Sequence, residues 1–361
     1  MRILDWYLLK RYLVSFFFTL LVFIPIAIAI DVSEKIDKFL SSGLSFFEVV
    51  DQYYIPFVIY YSNTFLPLAL FISVIMFTSK LAGNTEIVAI NSSQISFTRF
   101  LLPYLIGSSI VFVYALGMNH FIVPRSQKQF LKFEKDYIKT NSKTQKTVNN
   151  ISLQLDDNSF VFIRRFDFKR GTGYNFSYET HDGLDLTYKL TAANISYKPK
   201  DSVYRLSRYT KRVVRPNGDD YIESGSSLDT IFSFTNEDLE ISESKAKEMT
   251  TPEVNEFIQA AKSRGVKNLN IYYVERYKRT SLPVSAFILT LIAVSLASRK
   301  KRGGLGVNLA IGITLMFTYV FLMKVGEVLG SVAGSSALLY VWLPNIVFGT
   351  LSIYLYYRAK N

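Results

Sequence analysis

Long apolar runs stand toward both ends of the chain, and between them the pattern changes to residue-by-residue alternation. The runs cover about Tyr12 to Ile30, Tyr54 to Thr78 and Phe100 to His120 before the change. After it they cover about Leu282 to Ala297, Leu305 to Gly326 and Leu338 to Tyr357. Crossing a bilayer takes ~20 residues of helix, so the pattern predicts six transmembrane helices, split three and three.

The alternating block predicts an antiparallel β domain. Ser152 to Arg164 alternates around Asp156-Asp157-Asn158, and Tyr174 to Glu179, Leu184 to Tyr197, Val203 to Val214 and Tyr221 to Phe234 continue the pattern. Arg170 to Gly173, His181-Asp182-Gly183, Lys198 to Asp201 and Pro216-Asn217-Gly218 separate them. Turn residues at such close spacing are the signature of a sandwich or jelly roll, and the lack of βα alternation argues against a Rossmann-type domain. A helix follows, with Thr250 or Thr251 as its cap, Pro252 in its first turn and Gly265 just past its end. The expected fold is an α-helical polytopic membrane protein of six transmembrane helices with an inserted periplasmic β-jelly-roll domain. Residues 1–120 would hold helices 1–3, 121–249 the β domain, 250–279 a connecting helix and linker, and 280–361 helices 4–6.

Composition and charge add orientation. The 361 residues are 49% hydrophobic and 19% charged, too apolar for an ordinary soluble enzyme. Without cysteine, neither a disulfide framework nor a thiolate metal site is available. A formal charge of +12 would suggest nucleic acid in a soluble protein. Here much of the excess flanks the apolar runs, where topology and anionic lipid account for it, and no nucleic-acid partner is expected. The first run lacks a small-residue cleavage site and is read as a retained span. Arg2, Lys10 and Arg11 precede that run, whereas Asp31, Glu34, Asp37, Glu48 and Asp51 crowd the loop after it. Arg299-Lys-Lys-Arg302 separates the fourth and fifth runs, and Arg358 and Lys360 follow the last. The positive-inside rule then predicts cytoplasmic termini and places the β domain in the periplasm of a double-membraned bacterium.

Candidate chemistry is sparse. No phosphate-cradling Walker loop occurs, and Gly303, Gly304 and Gly306 read as a turn after a basic run. His120 and His181 lie far apart and make no metal site. Lys324 and Glu327, at i and i+3 late in the fifth run, share a helical face and can pair. Ionisable residues in a span usually face a cavity or partner, although Lys324, ~28 Å along its helix, can also snorkel to the surface. The loop from about Leu81 to Phe100 contains a helix-compatible run, Thr85 to Ser92, with Glu86 near its positive dipole end and Arg99 at the entrance of the third span. By its residues alone it reads first as a solvated loop helix, with a docking element as the alternative.

Several motifs together resemble the YjgP/YjgQ permeases, the lipopolysaccharide-export family LptF and LptG. They are Asn270-Ile-Tyr-Tyr-Val-Glu-Arg-Tyr-Lys-Arg-Thr-Ser-Leu-Pro283 running on to Arg302-Gly303-Gly304, Trp342-Leu-Pro-Asn345, and Asn84-Thr-Glu86-Ile-Val-Ala89 followed by Ser93, Ile95-Ser96 and Pro103-Tyr104. The resemblance covers essentially the whole chain, and the compact length favours LptG. Gln94 departs from it, standing where the family usually has glycine before Ile-Ser.

The resemblance implies a heterodimer with a paralogous LptF-like permease, seated on a dimer of a cytoplasmic ATPase subunit. That subunit uses the ATP, so this chain is expected to need no cofactor and to have no catalytic site. Lipopolysaccharide would pass from the inner membrane to the β domain and on to a periplasmic bridge protein of β-jelly-roll type. The second loop would couple to the ATPase through Asn84, Glu86, Ala89, Ser93 and Arg99. Asp31, Lys35, Lys38, Lys324 and Glu327 would form a lipopolysaccharide-binding rim where spans 1 and 5 meet, with lysines as point-charge partners of phosphate. Two rival readings remain at this point: an ion-coupled secondary transporter using Lys324 and Glu327, and a membrane-anchored periplasmic enzyme or scaffold.

Overall fold

The computed structural model describes residues 3–138, 147–155, 158–168, 170–183, 185–198, 203–215, 218–232, 234, 243–263, 269–298, 304–332 and 334–360. Among these, six helical stretches are long and apolar enough to span a bilayer: Ile3–Ser41, Phe46–Gly83, Phe97–Ile138, Asn270–Ala297, Gly306–Gly330 and Ala337–Lys360. The helices are α1 (Ile3–Ser41), α2 (Phe46–Val49), α3 (Ile55–Gly83), α4 (Glu86–Ser92), α5 (Phe97–Gly117), α6 (Val123–Phe133), α7 (Glu243–Glu248), α8 (Thr251–Ser263), α9 (Asn270–Ala297), α10 (Gly304–Gly330) and α11 (Ala337–Lys360). The basic run 299–302, the Asp156-Asp157 turn and Gly265 lie outside the described residues.

The third stretch outlasts its apolar run. α5 passes through a π-helical turn, Met118–Ile122, into α6 and ends in another, Glu134–Ile138. Residues 121–138, expected to open the β domain, are therefore helix, and the strands begin at Thr147. The reason is amphipathicity: Gln127, Phe130 and Phe133 recur at i, i+3 and i+6 and are buried, while the polar residues between them face out. α6 lays that stripe on α3.

The chain divides into two compact units, residues 1–140, 246–251 and 270–361 in one and 141–245 with 252–269 in the other. In the helical unit α3 and α9 form the centre, with 72% and 67% of their most apolar stretches buried. Only 11% of that of α1 and 22% of that of α10 are buried, leaving broad apolar faces for lipid or a partner. Lipid tails are as apolar as leucine, so close packing and interhelical hydrogen bonds must hold such a bundle. Both are present. A Cβ on Gly326 would lie 2.4 Å from the Tyr340 carbonyl oxygen, so only glycine lets α10 and α11 touch there. Tyr12 shares a hydrogen bond with Thr290 at 2.9 Å, and Thr78 with Tyr104 at 3.0 Å. Asn63 and Asn119 exchange amide hydrogen bonds at 3.0 and 2.8 Å. Asn345 donates to the Ser281 carbonyl at 2.7 Å and accepts from Tyr319 at 2.8 Å, which explains the asparagine of the Trp342-to-Asn345 motif. Asn270 donates to the carbonyls of Gly330, Val332 and Ser335, closing the turn between α10 and α11.

The second unit carries one six-stranded antiparallel sheet with the strands in chain order: β1 (Thr147–Gln154), β2 (Ser159–Asp167), β3 (Thr172–Asp182), β4 (Asp185–Lys198), β5 (Val203–Val213) and β6 (Tyr221–Thr230). This is the jelly-roll-like insert. β6 stops short of the expected Phe234, because Phe232 and Phe234 turn into the core, stack at 5.3 Å, and Tyr204 donates to the Phe234 carbonyl at 3.0 Å.

The sheet is creased along one row. Every ladder skips a couple at the same place: Asn150/Arg164, Arg164/Asn175, Asn175/Ala193, Ala193/Arg208 and Arg208/Ser226. Inward positions change parity there. Phe166 and Ile163 are both buried with two exposed residues between them, and Gly173 with Phe176, Ile195 with Ala192 and Leu206 with Tyr209 repeat the spacing. Strict alternation would send one of each pair outward. Asn175 and Arg208 absorb the bend in left-handed conformations, φ +53° and +51°. The crease lets both leaves of a single sheet face one apolar core that includes Val161, Phe166, Phe176, Ile195 and Leu206.

Candidate functional site

Two groups of polar residues in the helical unit bear on function, one at the end that holds the chain termini and one at the far end.

At the terminal end α3 stops at Gly83, and Thr85, at φ +64°, turns the chain into the seven-residue α4. Glu86 accepts from Asn84 at 3.2 Å and from the Tyr7 hydroxyl of α1 at 3.2 Å. Ile87 is buried beneath, while Val88, at 55% exposure, and Ala89 face outward. Ser93 closes α4 on the Ala89 carbonyl at 3.0 Å. Gln94 follows at φ +59°. A glycine would adopt that conformation without strain. Ser96 then caps α5 by accepting from the Arg99 amide. Arg99 forms a two-pronged ion pair with the buried Asp5, both contacts at 2.7 Å. Tyr7 and Asp5 had no signal in the sequence, since their partners lie more than seventy residues away.

At the far end the expected rim separates into two clusters. Among the described residues α1 packs on α3 and α5, and α10 on α3, α9 and α11, while α1 and α10 share no extensive contact. Lys35 is held by Asp31 at 2.5 Å, by the Tyr53 hydroxyl and, more loosely, by Glu134 at 3.9 Å. Asp31 also accepts from Tyr53 at 3.0 Å and Tyr54 at 3.4 Å. The aromatic cluster of Phe39, Tyr53, Phe57, Phe130 and Phe133 lies beneath. Tyr53 and Glu134 both come from π-helical turns, which re-aim side chains relative to the α-helix around them. Lys38 is exposed and makes no ion pair among the described residues. In the second cluster Lys324 and Glu327 pair as expected, at 2.9 Å. Glu327 has a further partner, Lys278 of α9, also at 2.9 Å. These groups lie less than two turns from the end of α10, away from its middle.

His120 meets Thr251 at 2.9 Å, and no metal-holding group of three or more occurs among the described residues. Arg279, 1% exposed, pairs with Glu275 and donates to Thr251 and to the carbonyls of Ala246 and Met249.

The family model described as "Lipopolysaccharide export system permease LptF/LptG" matches residues 6–358. The chain belongs to the LptF/LptG permease family. Six membrane-spanning helices with an inserted jelly-roll-like sheet are the architecture of that family, and the chain is a multi-pass inner-membrane permease of lipopolysaccharide export. The match covers LptF and LptG jointly and does not separate them. No curated protein matches the chain. The motifs quoted above fall on structural joints of the permease: the α3–α4–α5 loop, the Asn270 closure and the Ser281–Asn345 contact.

Proposed function

We propose that this chain is one permease subunit of an ABC-type exporter. It would lift lipopolysaccharide from the inner membrane by using ATP hydrolysed in a separate cytoplasmic dimer. A paralogous permease completes the pair, and a periplasmic bridge protein receives the lipid. The observation that carries the reading is the α4 loop within a chain matched to the family over residues 6–358. Its charged groups are satisfied internally by Tyr7, Asn84 and Asp5, so the surface left for docking is Val88, Ala89 and the serines after them.

The termini and α4 lie on the cytoplasmic side in this reading, and the β domain is periplasmic. A lateral entrance made from spans 1 and 5 is then formed between two permeases. The bare apolar face of α1 in one subunit stands beside that of α10 in the other. Lys35, Lys38 and Lys324 line it and meet lipid phosphates, and the apolar interior of the β unit shields acyl chains, each exposed methylene of which costs ~0.8 kcal/mol in water.

Reconstituted complexes test the coupling. Val88→Asp should lower ATPase-subunit binding at least as much as Glu86→Lys, which acts by tilting α4 away from Tyr7. Wild-type ATPase binding and lipopolysaccharide release in both variants would remove the α4 loop from the mechanism.

A further inference from the structure

We propose that Lys278 is a positioning residue: it keeps Glu327 neutralised so that Lys324 is free to leave for an anionic lipid group. The proposal rests on the reading above that Lys324 meets phosphate.

Glu327 gives each carboxylate oxygen its own ammonium, Oε1 to Lys278 Nζ at 2.9 Å and Oε2 to Lys324 Nζ at 2.9 Å. The side chains differ in exposure: 62% for Lys324, 22% for Lys278 and 17% for Glu327. The triad therefore carries one surplus positive charge, held on its most exposed member. A Lys324–Glu327 pair alone would be neutral. A phosphate taking Lys324 from it would leave a mostly buried carboxylate without a counter-ion in a membrane-spanning helix, which is costly. With Lys278 present, departure of Lys324 leaves a closed Lys278–Glu327 pair. Glu275, one turn before Lys278, is already engaged by Arg279 at 3.2 Å. Lys278 is also well placed to stay behind, since α9 is packed on α3, α5, α10 and α11.

The first measurement needs no lipid. The full chain in detergent is acylated with N-hydroxysuccinimide acetate, and the rate of modification at Lys324 is read by peptide mass spectrometry. Lys278→Met should tie Lys324 to Glu327 and slow labelling about threefold to fivefold, the range of a partly solvated ion pair. Lys278→Met/Glu327→Gln should restore at least the wild-type rate, and this recovery separates electrostatic release from misfolding. Equal rates in wild type and Lys278→Met, or no recovery in the double variant, overturns the proposal. The second measurement is lipopolysaccharide photocrosslinking from the exposed neighbour Phe321 in the reconstituted complex. Its yield should fall in Lys278→Met and recover in the double variant. A labelling pattern as expected, with no lipid adduct even in wild type, would sink the phosphate reading and leave the shared counter-ion standing.

Discussion

Three buried tyrosines of the helical unit reach polar partners on other helices, whereas the core of the β unit is mainly aliphatic and phenylalanine, with Tyr204 and Tyr209 bonded within the unit at its margin. Tyr12, Tyr104 and Tyr319 are each bonded across a helix interface. Val161, Ile163, Phe166, Phe176, Ile195 and Leu206 pack in an apolar cluster. The contrast follows from the surroundings. In water, burying apolar area drives folding at roughly 25 cal/mol per Å². In lipid that term vanishes between helices, and hydrogen bonds and close fit decide which faces meet. Loss of apolar contact and loss of a hydrogen bond should therefore weigh differently in the two units, and substitutions should show it.

The largest effect should come from truncating the β core. Phe166→Ala, at a position 1% exposed, should cost about 3–5 kcal/mol. Phe317→Ala, on the 63% exposed face of α10, should stay within about 0.5 kcal/mol. Hydrogen exchange of the full chain in detergent reads both, and equal losses would erase the distinction between the units.

An intermediate effect should come from the amide pair of the helical unit. Asn63→Leu leaves the Asn119 side-chain oxygen without its donor, although the Asn119 nitrogen keeps the Ala115 carbonyl, and should cost about 1–3 kcal/mol, while Asn63→Leu/Asn119→Leu should recover most of it. Thermal unfolding followed by α-helical signal checks the cycle. A double variant as unstable as the sum of the singles would mean that shape, and not hydrogen bonding, fixes the contact.

The smallest effect is a gain. Gln94→Gly relieves a left-handed glutamine and should stabilise by about 1 kcal/mol or less, as should Arg208→Gly in the sheet. A loss at both sites, seen as a lower melting temperature, would show that these side chains contribute contacts beyond the turn.

Elements with a strong local period were legible in the sequence. The six spans and the strands show as apolar runs and alternation, and Lys324–Glu327 as an i, i+3 pair. Residues 121–138 were missed because their helical stripe is only a few residues wide and embedded in charge. The site partners were missed for another reason. Tyr7, Asp5 and Lys278 meet Glu86, Arg99 and Glu327 through tertiary packing, and no spacing rule links residues so far apart. The separation of Lys35 from Lys324 depends likewise on which helices are neighbours, a matter of packing and not of pattern.

The crease in the sheet behaves as a dislocation line. Its parity switch occurs in the same row from β2 to β6, so the strands are indexed to one another across it. Removing one residue from a single strand on either side would turn that strand's inner set outward relative to both neighbours. Near a strand end a bulge can absorb such a change, as β4 does with one extra residue opposite Thr180 and His181, but beside the row the compensating shift would have to pass through every strand at once. Insertions and deletions in the sheet should therefore be tolerated at turns and strand ends, whereas the strand segments flanking the row should hold their residue count even where their side chains are free to change.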